Sequence, residues 1–281
     1  MKVFPFKIPK PISEHLIVQI DKQPIFYNRL HQHKEIQISY IINGNGKLLV
    51  GDSIHHFSAG DIFVIGSNLP HVFKSIAAVE DAHMLTVFFT HNTFGPHFFQ
   101  LPYFKDLQSF FTNAASGFKV MSNKKQLTQQ ILALQSLQNL KRFTSFLELL
   151  EQLSNAATEP LSKFIYAKTL SSNEGERLQE IFDFVFKNFQ QPIVLDDISK
   201  MAYMTPNAFC RFFKQRTNKT FFQFLIELRV EHACQLLNSK KELNINMISD
   251  LSGFNSISNF NKKFKKIKGL TPTQYLKSLV V

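Results

Sequence analysis

The stretches Phe209–Leu225, FCRFFKQRTNKTFFQFL, and Phe260–Leu276, FNKKFKKIKGLTPTQYL, align at an offset of 51 with identities at Phe209/Phe260, Phe213/Phe264, Lys214/Lys265, Thr220/Thr271, Gln223/Gln274 and Leu225/Leu276. Upstream the offset is 50, pairing Ile198 with Ile248 and Met204 with Phe254, so the second copy carries its extra residue in the turn. Each copy reads as a short helix, a turn and a longer helix. The first runs Asp196–Ala202, then Tyr203-Met204, then a helix to about Thr217 with Thr205 as N-cap and Pro206 at the first helical position. The second runs Met247–Ser252, then Gly253-Phe254-Asn255, then a helix capped by Asn255 or Ser256 and ending near Lys268. Asn218 and Gly269 stand where a left-handed residue stops a helix.

Phenylalanines four residues apart share a helix face, so Phe209 with Phe213, and Phe260 with Phe264, are predicted to pack onto the preceding short helix. That leaves Asn207, Cys210, Arg211 and Lys214 in one copy, and Ile257, Ser258, Asn261 and Lys262 in the other, on the opposite face. Arg and Lys donate to guanine and Asn pairs with adenine in the major groove, so faces of this composition suit base reading. An ordinary helical bundle explains one such face; two matched copies favour two DNA readers. Lys262, Lys263, Lys265, Lys266 and Lys268 add a local basic cluster.

The ordered set Met204-Thr205-Pro206, Phe209-Cys210-Arg211-Phe212-Phe213-Lys214, Leu228-Arg229, His232-Ala233-Cys234-Gln235-Leu236-Leu237, Gly253-Phe254, Phe260, Phe264-Lys265 and Leu270-Thr271-Pro272 resembles the DNA-binding domain of the AraC family of transcription regulators. The resemblance implies two helix-turn-helix units joined by a long helix, about Thr220–Leu237, that sets them on successive major grooves about 34 Å apart. It implies double-stranded promoter or operator DNA as partner. Thr205, Asn207, Cys210, Arg211, Lys214, Ile257, Ser258, Asn261 and Lys262 become the DNA-contact candidates, and Arg229 a structural tie between helices. Two positions depart from the pattern: Tyr203 stands opposite Gly253, where Gly or Asn is usual, and Cys210 and Ile257 bond poorly to bases.

Working back toward the N-terminus, the small polar run Ser171-Ser172-Asn173-Glu174-Gly175-Glu176 marks a linker, giving expected domains 1–170 and 171–281. Between Ile17 and Phe89 the runs Glu35–Ile42, Lys47–Val50, Asp61–Ile65 and Leu85–Phe89 are strand-like and separated by Gly- and Asn-rich turns, which predicts a barrel or sandwich. From Tyr103 to Ala157 the period changes to helical, with a stripe of Leu127, Ile131, Leu134, Leu137, Leu140, Phe143, Phe146, Leu147 and Leu150. The expected architecture is an all-β barrel followed by helices, then an all-α domain with two helix-turn-helix units.

His31-Gln32-His33, Gln37, Gly44, Gly60, Gly66 and His71 resemble the two cupin motifs, with Gln37 in place of the usual Glu, Gly66 of Pro and Asn68 of Gly. Alternation on a strand puts His31, His33, Glu35 and Gln37 on one side, with His71 from another strand. His31, His33, Gln37 and His71 are therefore the candidate site for a small-molecule effector. Three imidazoles and an amide oxygen also suit a divalent metal of the zinc, nickel or iron type, although loss of the carboxylate removes a charge. No cofactor is required by this reading. The family resemblance implies a sugar or sugar derivative as effector, RNA polymerase as a partner and a homodimer paired through the 103–157 helices. The alternative is a metal-dependent cupin enzyme fused to a DNA-binding domain; no acid–base pair is evident in the pocket set, and a regulator without catalysis is expected.

Bulk composition agrees. In 281 residues, 44% hydrophobic content and 19% charge support two packed cores, and a net charge of +11 favours a polyanionic partner. Cys210 and Cys234 form no metal or disulfide spacing, MKVFPFKIPKP lacks a signal peptide's apolar core, and no apolar run approaches the roughly 18 to 20 residues of a membrane span. A cytoplasmic protein with no membrane partner is expected.

Overall fold

The computed structural model describes residues 16–75, 82–163, 171–239 and 242–279. The opening MKVFPFKIPKP and the end of the expected first domain, 164–170, lie outside the described residues. The chain divides into two compact units, Met1–Gly175 and Glu176–Val281.

The described residues of the first unit form nine strands: β1 (Ile17–Gln23), β2 (Ile36–Asn43), β3 (Gly46–Val50), β4 (Ser53–Phe57), β5 (Ile62–Ile65), β6 (His71–Ser75), β7 (Ala82–Phe89), β8 (Phe118–Val120) and β9 (Thr158–Pro160). They form a six-stranded sheet ordered β1-β7-β2-β5-β8-β9 and a three-stranded sheet ordered β4-β3-β6. Period-two alternation divides the large sheet. Ile41, Phe63, Ile65, Ala82 and Met84 face Leu48, Val50, Phe57 and Phe73 of the small sheet in one core. Ile36, Ile38, Ile62, Val64, Leu85, Val87 and Phe89 face the other way, into a second core closed by helices. Both faces of β2, β5 and β7 are therefore covered, which explains why β5, Ile-Phe-Val-Ile, reads as a continuous apolar run.

The covering helices are α1 (Gln108–Ala114), α2 (Lys124–Ala133) and α3 (Asn139–Asn155). The helical expectation for 103–157 needs one correction: Phe118–Val120 leaves the helical layer and pairs beside β5, with Phe63 opposite Lys119 and Val64 opposite Phe118. The stripe also breaks between α2 and α3. Leu127, Ile131, Leu134, Phe146 and Leu150 are buried on the sheet, whereas Leu140 is exposed. Leu137 sits in the turn between the helices, which resets the helical phase.

The second unit is helical throughout its described residues: α4 (Ser172–Asn188, entering from the first unit), α5 (Leu195–Met201), α6 (Pro206–Thr217), α7 (Phe221–Ser239), α8 (Ile245–Leu251), α9 (Ile257–Lys268) and α10 (Pro272–Ser278). No helix among the described residues is long and apolar enough to cross a membrane. The sequence repeat is a structural repeat. Phe213 packs edge-on to Phe224 at 5.6 Å, and the equivalent Phe264 packs edge-on to Tyr275 at 5.5 Å. The conserved Thr and Gln of each copy cap the helix that follows: Gln223 N–H donates to Thr220 and Thr220 N–H to Gln223 Oε1, and Thr271 and Gln274 repeat both bonds. α7 serves both units, its N-terminal Phe221 and Phe224 joining the rings of α6 and its C-terminal Val230, Ala233, Cys234 and Leu237 joining Ile248, Phe254, Phe260 and Phe264.

Candidate DNA interface and ligand pocket

In both repeats the longer helix begins with a side-chain cap and ends in a left-handed residue. Thr205 accepts from Ala208 N–H and Ser256 accepts from Asn259 N–H, while Asn218 has φ +55° and Gly269 φ +77°. The buried sides carry Phe209, Phe212 and Phe213 on α6, and Phe260 and Phe264 on α9. Thr205, Asn207, Cys210, Arg211 and Lys214 are all exposed, as are Ile257, Ser258, Asn261 and Lys262. The two faces thus present Asn, Ser, Arg and Lys on rigid helices whose positions are fixed by aromatic packing behind them. Thr205 is partly committed: its hydroxyl oxygen serves the helix as cap.

The lysine cluster separates on inspection. Lys262, Lys265 and Lys266 are exposed, but Lys268 is half-buried and bonded to Glu231 Oε2 of α7 at 2.7 Å. Burial opposes the Lys268 charge, yet the adjacent Glu231 carboxylate raises its pKa overall, so it stays a cation locked to α7. Arg229 donates from Nε to Phe189 O at 2.7 Å and from a terminal nitrogen to Gln191 O at 2.9 Å, tying α7 to the end of α4.

In the first unit, the four pocket candidates converge, though not from the geometry expected. β2 begins at Ile36, so His31 and His33 do not share a strand with Gln37. Instead His31 pairs with His71 through two backbone bonds, 3.1 and 2.9 Å, and Asn68, at φ +56°, donates its N–H to His33 O. Each imidazole is then aimed by a carbonyl: His31 Nδ1 lies 2.7 Å from Arg29 O, His33 Nδ1 2.9 Å from Glu35 O, and His71 Nδ1 2.8 Å from Leu69 O. Glu35 lies on the far side, its carboxylate 3.9 Å from His33 Nδ1. His33 Nε2 and His71 Nε2 both stand 3.0 Å from Gln37 Oε1, and Gln37 Nε2 stands 2.7 Å from Ser39 Oγ.

Burial lowers the pKa of all three histidines: His31 to about 4, and His71, which also feels its two neighbours, well below its ordinary value. They are neutral at pH 7. With Nδ1–H donating to a carbonyl, each Nε2 is an acceptor. Two arrangements satisfy the acceptors around Gln37. Its amide can turn its NH2 to the two Nε2 atoms and its oxygen to the Ser39 hydroxyl, or a cation can lie among the nitrogens. Candidate ligand atoms of His31, His33 and His71 fall within 4.8 Å of one another, and each ring's Nδ1 is held by a carbonyl as metal-ligating histidines commonly are, so the set could hold a divalent metal.

Beside this cluster is a cavity of about 190 Å³ lined by Gln19, Asp21, Gln23, Ile25, Phe26, Tyr27, His31, Gln37, Phe73, Met84 and Phe88. Of the four expected residues, His31 and Gln37 reach its wall; His33 and His71 stand buried behind them. β1 supplies Gln19, Asp21 and Gln23 to this wall, none of them among the residues the sequence assigns to the pocket. Gln19, Asp21 and Gln23 alternate along β1 and so share a face, and a polar period-two stripe on an N-terminal strand reads as a solvent side.

A β-rich unit with an internal pocket, followed by a duplicated helix-turn-helix with two exposed polar faces, defines a ligand-binding, DNA-binding transcription regulator. Comparison with known proteins agrees. Residues 15–91 match the family model described as AraC-like ligand binding domain, and residues 198–278 match a helix-turn-helix domain model. The chain is 23% identical to the uncharacterized HTH-type transcriptional regulator YdeC of Bacillus subtilis, covering 95% of this chain and 96% of the relative. It is 25% identical to the HTH-type transcriptional activator RhaR of Mannheimia succiniciproducens, covering 94% and 93%. It is 22% identical to the melibiose operon regulatory protein of Escherichia coli K12, covering 94% and 89%. The chain is an AraC-type transcription regulator: it carries the family's DNA-binding domain behind an AraC-like ligand-binding domain.

Proposed function

We propose that this regulator is a cytoplasmic homodimer whose α6 and α9 faces read promoter or operator sequence, under control of a small effector held in the N-terminal cavity, without catalysis. The observation that carries the DNA half is the matched exposure of Asn207, Arg211 and Lys214 on α6 and Ser258, Asn261 and Lys262 on α9, each backed by a phenylalanine core. Arg211, Asn207, Asn261 and Lys262 are assigned to bases; Lys214 and Thr205 lie where phosphate contacts would set orientation. Ser258 contributes a hydroxyl, and Cys210 and Ile257 contribute apolar contact.

The receptor half rests on the cavity and the neutral histidine cluster behind it. A relative named for a melibiose operon supports a sugar or other hydroxylated ligand. Exposed Leu132 on α2 and Leu140 on α3 support pairing of two copies through this helical layer. The domains assigned are a sensor through residue 170 and a DNA-binding domain from 171. A second reading, a divalent metal on His31, His33, His71 and Gln37, is favoured by the Nε2 acceptors that gather around the Gln37 carbonyl; metal analysis of the purified protein, before and after chelation, decides between them.

The test is selection of genomic fragments by the purified full-length protein at physiological salt, alongside Lys262→Ala, followed by sequencing. A shared motif enriched by the parent and lost by the variant supports the proposal. Equal retention of all fragments sinks specific reading and leaves only a basic nucleic-acid binder.

A further inference from the structure

The cavity wall carries one carboxylate, that of Asp21, among amide, phenol and imidazole groups. Gln19 Nε2 donates to Asp21 Oδ1 at 2.7 Å, and Gln19 Oε1 is buried with no hydrogen-bond partner among the described residues. No Lys or Arg is among the described residues lining the cavity, whose remaining wall includes the rings of Phe26, Tyr27, Phe73 and Phe88. Phe26 and Phe73 are edge-on to one another at 6.1 Å in this wall. We infer that this pocket selects an organic cation, a protonated amine, amino sugars included, held by the Asp21 carboxylate and the surrounding aromatic rings, and rejects carboxylates and phosphates. This rests on the reading of the cavity as the effector site.

Three physical arguments converge. A carboxylate and a buried amide oxygen on one wall are acceptors that need donors, and an ammonium supplies donors alone. Aromatic faces attract cations through their quadrupoles, and more strongly when water is excluded. An anion would meet Asp21 without any compensating cation. Burial raises the pKa of Asp21 while the Gln19 amide opposes the shift, which marks a carboxylate short of a counter-charge.

The experiment is calorimetric titration of the full-length protein with two matched sets of probes. One is glucosamine, glucose and glucuronate; the other is phenethylamine, phenylethanol and phenylacetate. Each set keeps a common framework and varies the sign of its charge, with the amine at C2 and the carboxylate at C6 in the sugar set. The expected result is that the amine of at least one set binds roughly tenfold or more tightly than its neutral partner, with no binding of the acid. Asp21→Asn should abolish the difference, whereas Lys22→Ala, an exposed residue on the opposite face of the same strand, should keep it. Amine affinity should also fall as pH drops through the raised pKa of Asp21. Equal or tighter binding of a neutral or acidic member, or no binding by either amine, overturns the inference. Met84→Trp, which fills the cavity, separates the two readings in a reporter assay on the recovered DNA motif: altered output keeps the receptor site and discards only the cation class, and unchanged output discards both.

Discussion

Tyr203 and Gly253 occupy the same place in the two repeats and the same left-handed backbone, at φ +54° and +82°. Each ends a short helix with the same pair of bonds: Tyr203 N–H to Lys200 O and Met204 N–H to Ser199 O, then Gly253 N–H to Asp250 O and Phe254 N–H to Ser249 O. The turn is thus conserved between repeats although one residue is the least suited to it. Tyr203 is 86% exposed, so its ring gains little burial to offset the strain.

Tyr203→Gly is therefore expected to stabilise the helical unit. Relief of a left-handed L-residue is worth roughly 1–2 kcal/mol, less the extra chain entropy glycine gives the unfolded state, for a net of about 0.5–1 kcal/mol. Urea unfolding of the full chain should show a higher midpoint; a lower one would mean that the tyrosine ring contributes a contact.

At Gly253 the opposite holds. A Cβ there would stand 2.8 Å from Gln190 Cα and O and 2.9 Å from Phe189 O, all backbone, in addition to the positive φ. Gly253→Ala should destabilise by about 2 kcal/mol or more. Parental stability in that variant would show that the segment at Phe189–Gln190 yields easily.

Arg229 holds the carbonyls of Phe189 and Gln191. Arg229→Ala should lower stability by about 1–3 kcal/mol, since two acceptors lose their donors, and Arg229→Lys should restore only part because an ammonium lacks the fork. Under conditions where both variants are folded, the salt dependence of DNA binding should match the parent. A shallower slope would instead place Arg229 on phosphate.

For Arg211→Ala and Lys262→Ala, the expectation is a loss on the order of 1–3 kcal/mol per base contact on the preferred site and less on random DNA. Competition titrations measure both. Equal losses on the two DNAs would assign these side chains to the phosphate backbone.

Acid should weaken the β-rich unit. The ordinary histidine value is 6.5, and burial brings His31 to about 4 and His71 lower still. Above 6.5 the rings are neutral in folded and unfolded chains alike, and the full stability is present. As pH falls below that, the unfolded chain takes up protons the folded chain refuses, so stability drops by about 1.4 kcal/mol per pH unit for each such histidine. Urea titrations at pH 7 and pH 5 should show this, with a smaller loss in His31→Gln.

The helical half was legible because its signals are local. Thr205-Pro206, Asn218, Ser256 and Gly269 cap or stop helices by short-range bonds, and the four-residue Phe spacing names the buried face. Arg229, too, was identified in advance as a tie between helices. Lys268 was not separable from its neighbours, since only the fold brings Glu231 to it. In the front half, strand alternation predicts His31 and His33 on one strand face with Gln37; the structure brings them to it instead through the bridge to His71 and through carbonyls that aim their rings.

The sequence by itself therefore determined the duplicated helix-turn-helix, its capping and its exposed polar faces, and it named the three histidines that cluster in the β-rich unit. Their causes act within a few residues, where spacing is geometry. Only the tertiary structure decided which of those histidines reach the cavity, that Gln19 and Asp21 of β1 line it, and that Phe118–Val120 joins the sheet. Those facts depend on strand pairings between residues far apart in the chain, and the pairing of β1 with β7 turns a polar stripe that reads as solvent-facing into the wall of a pocket.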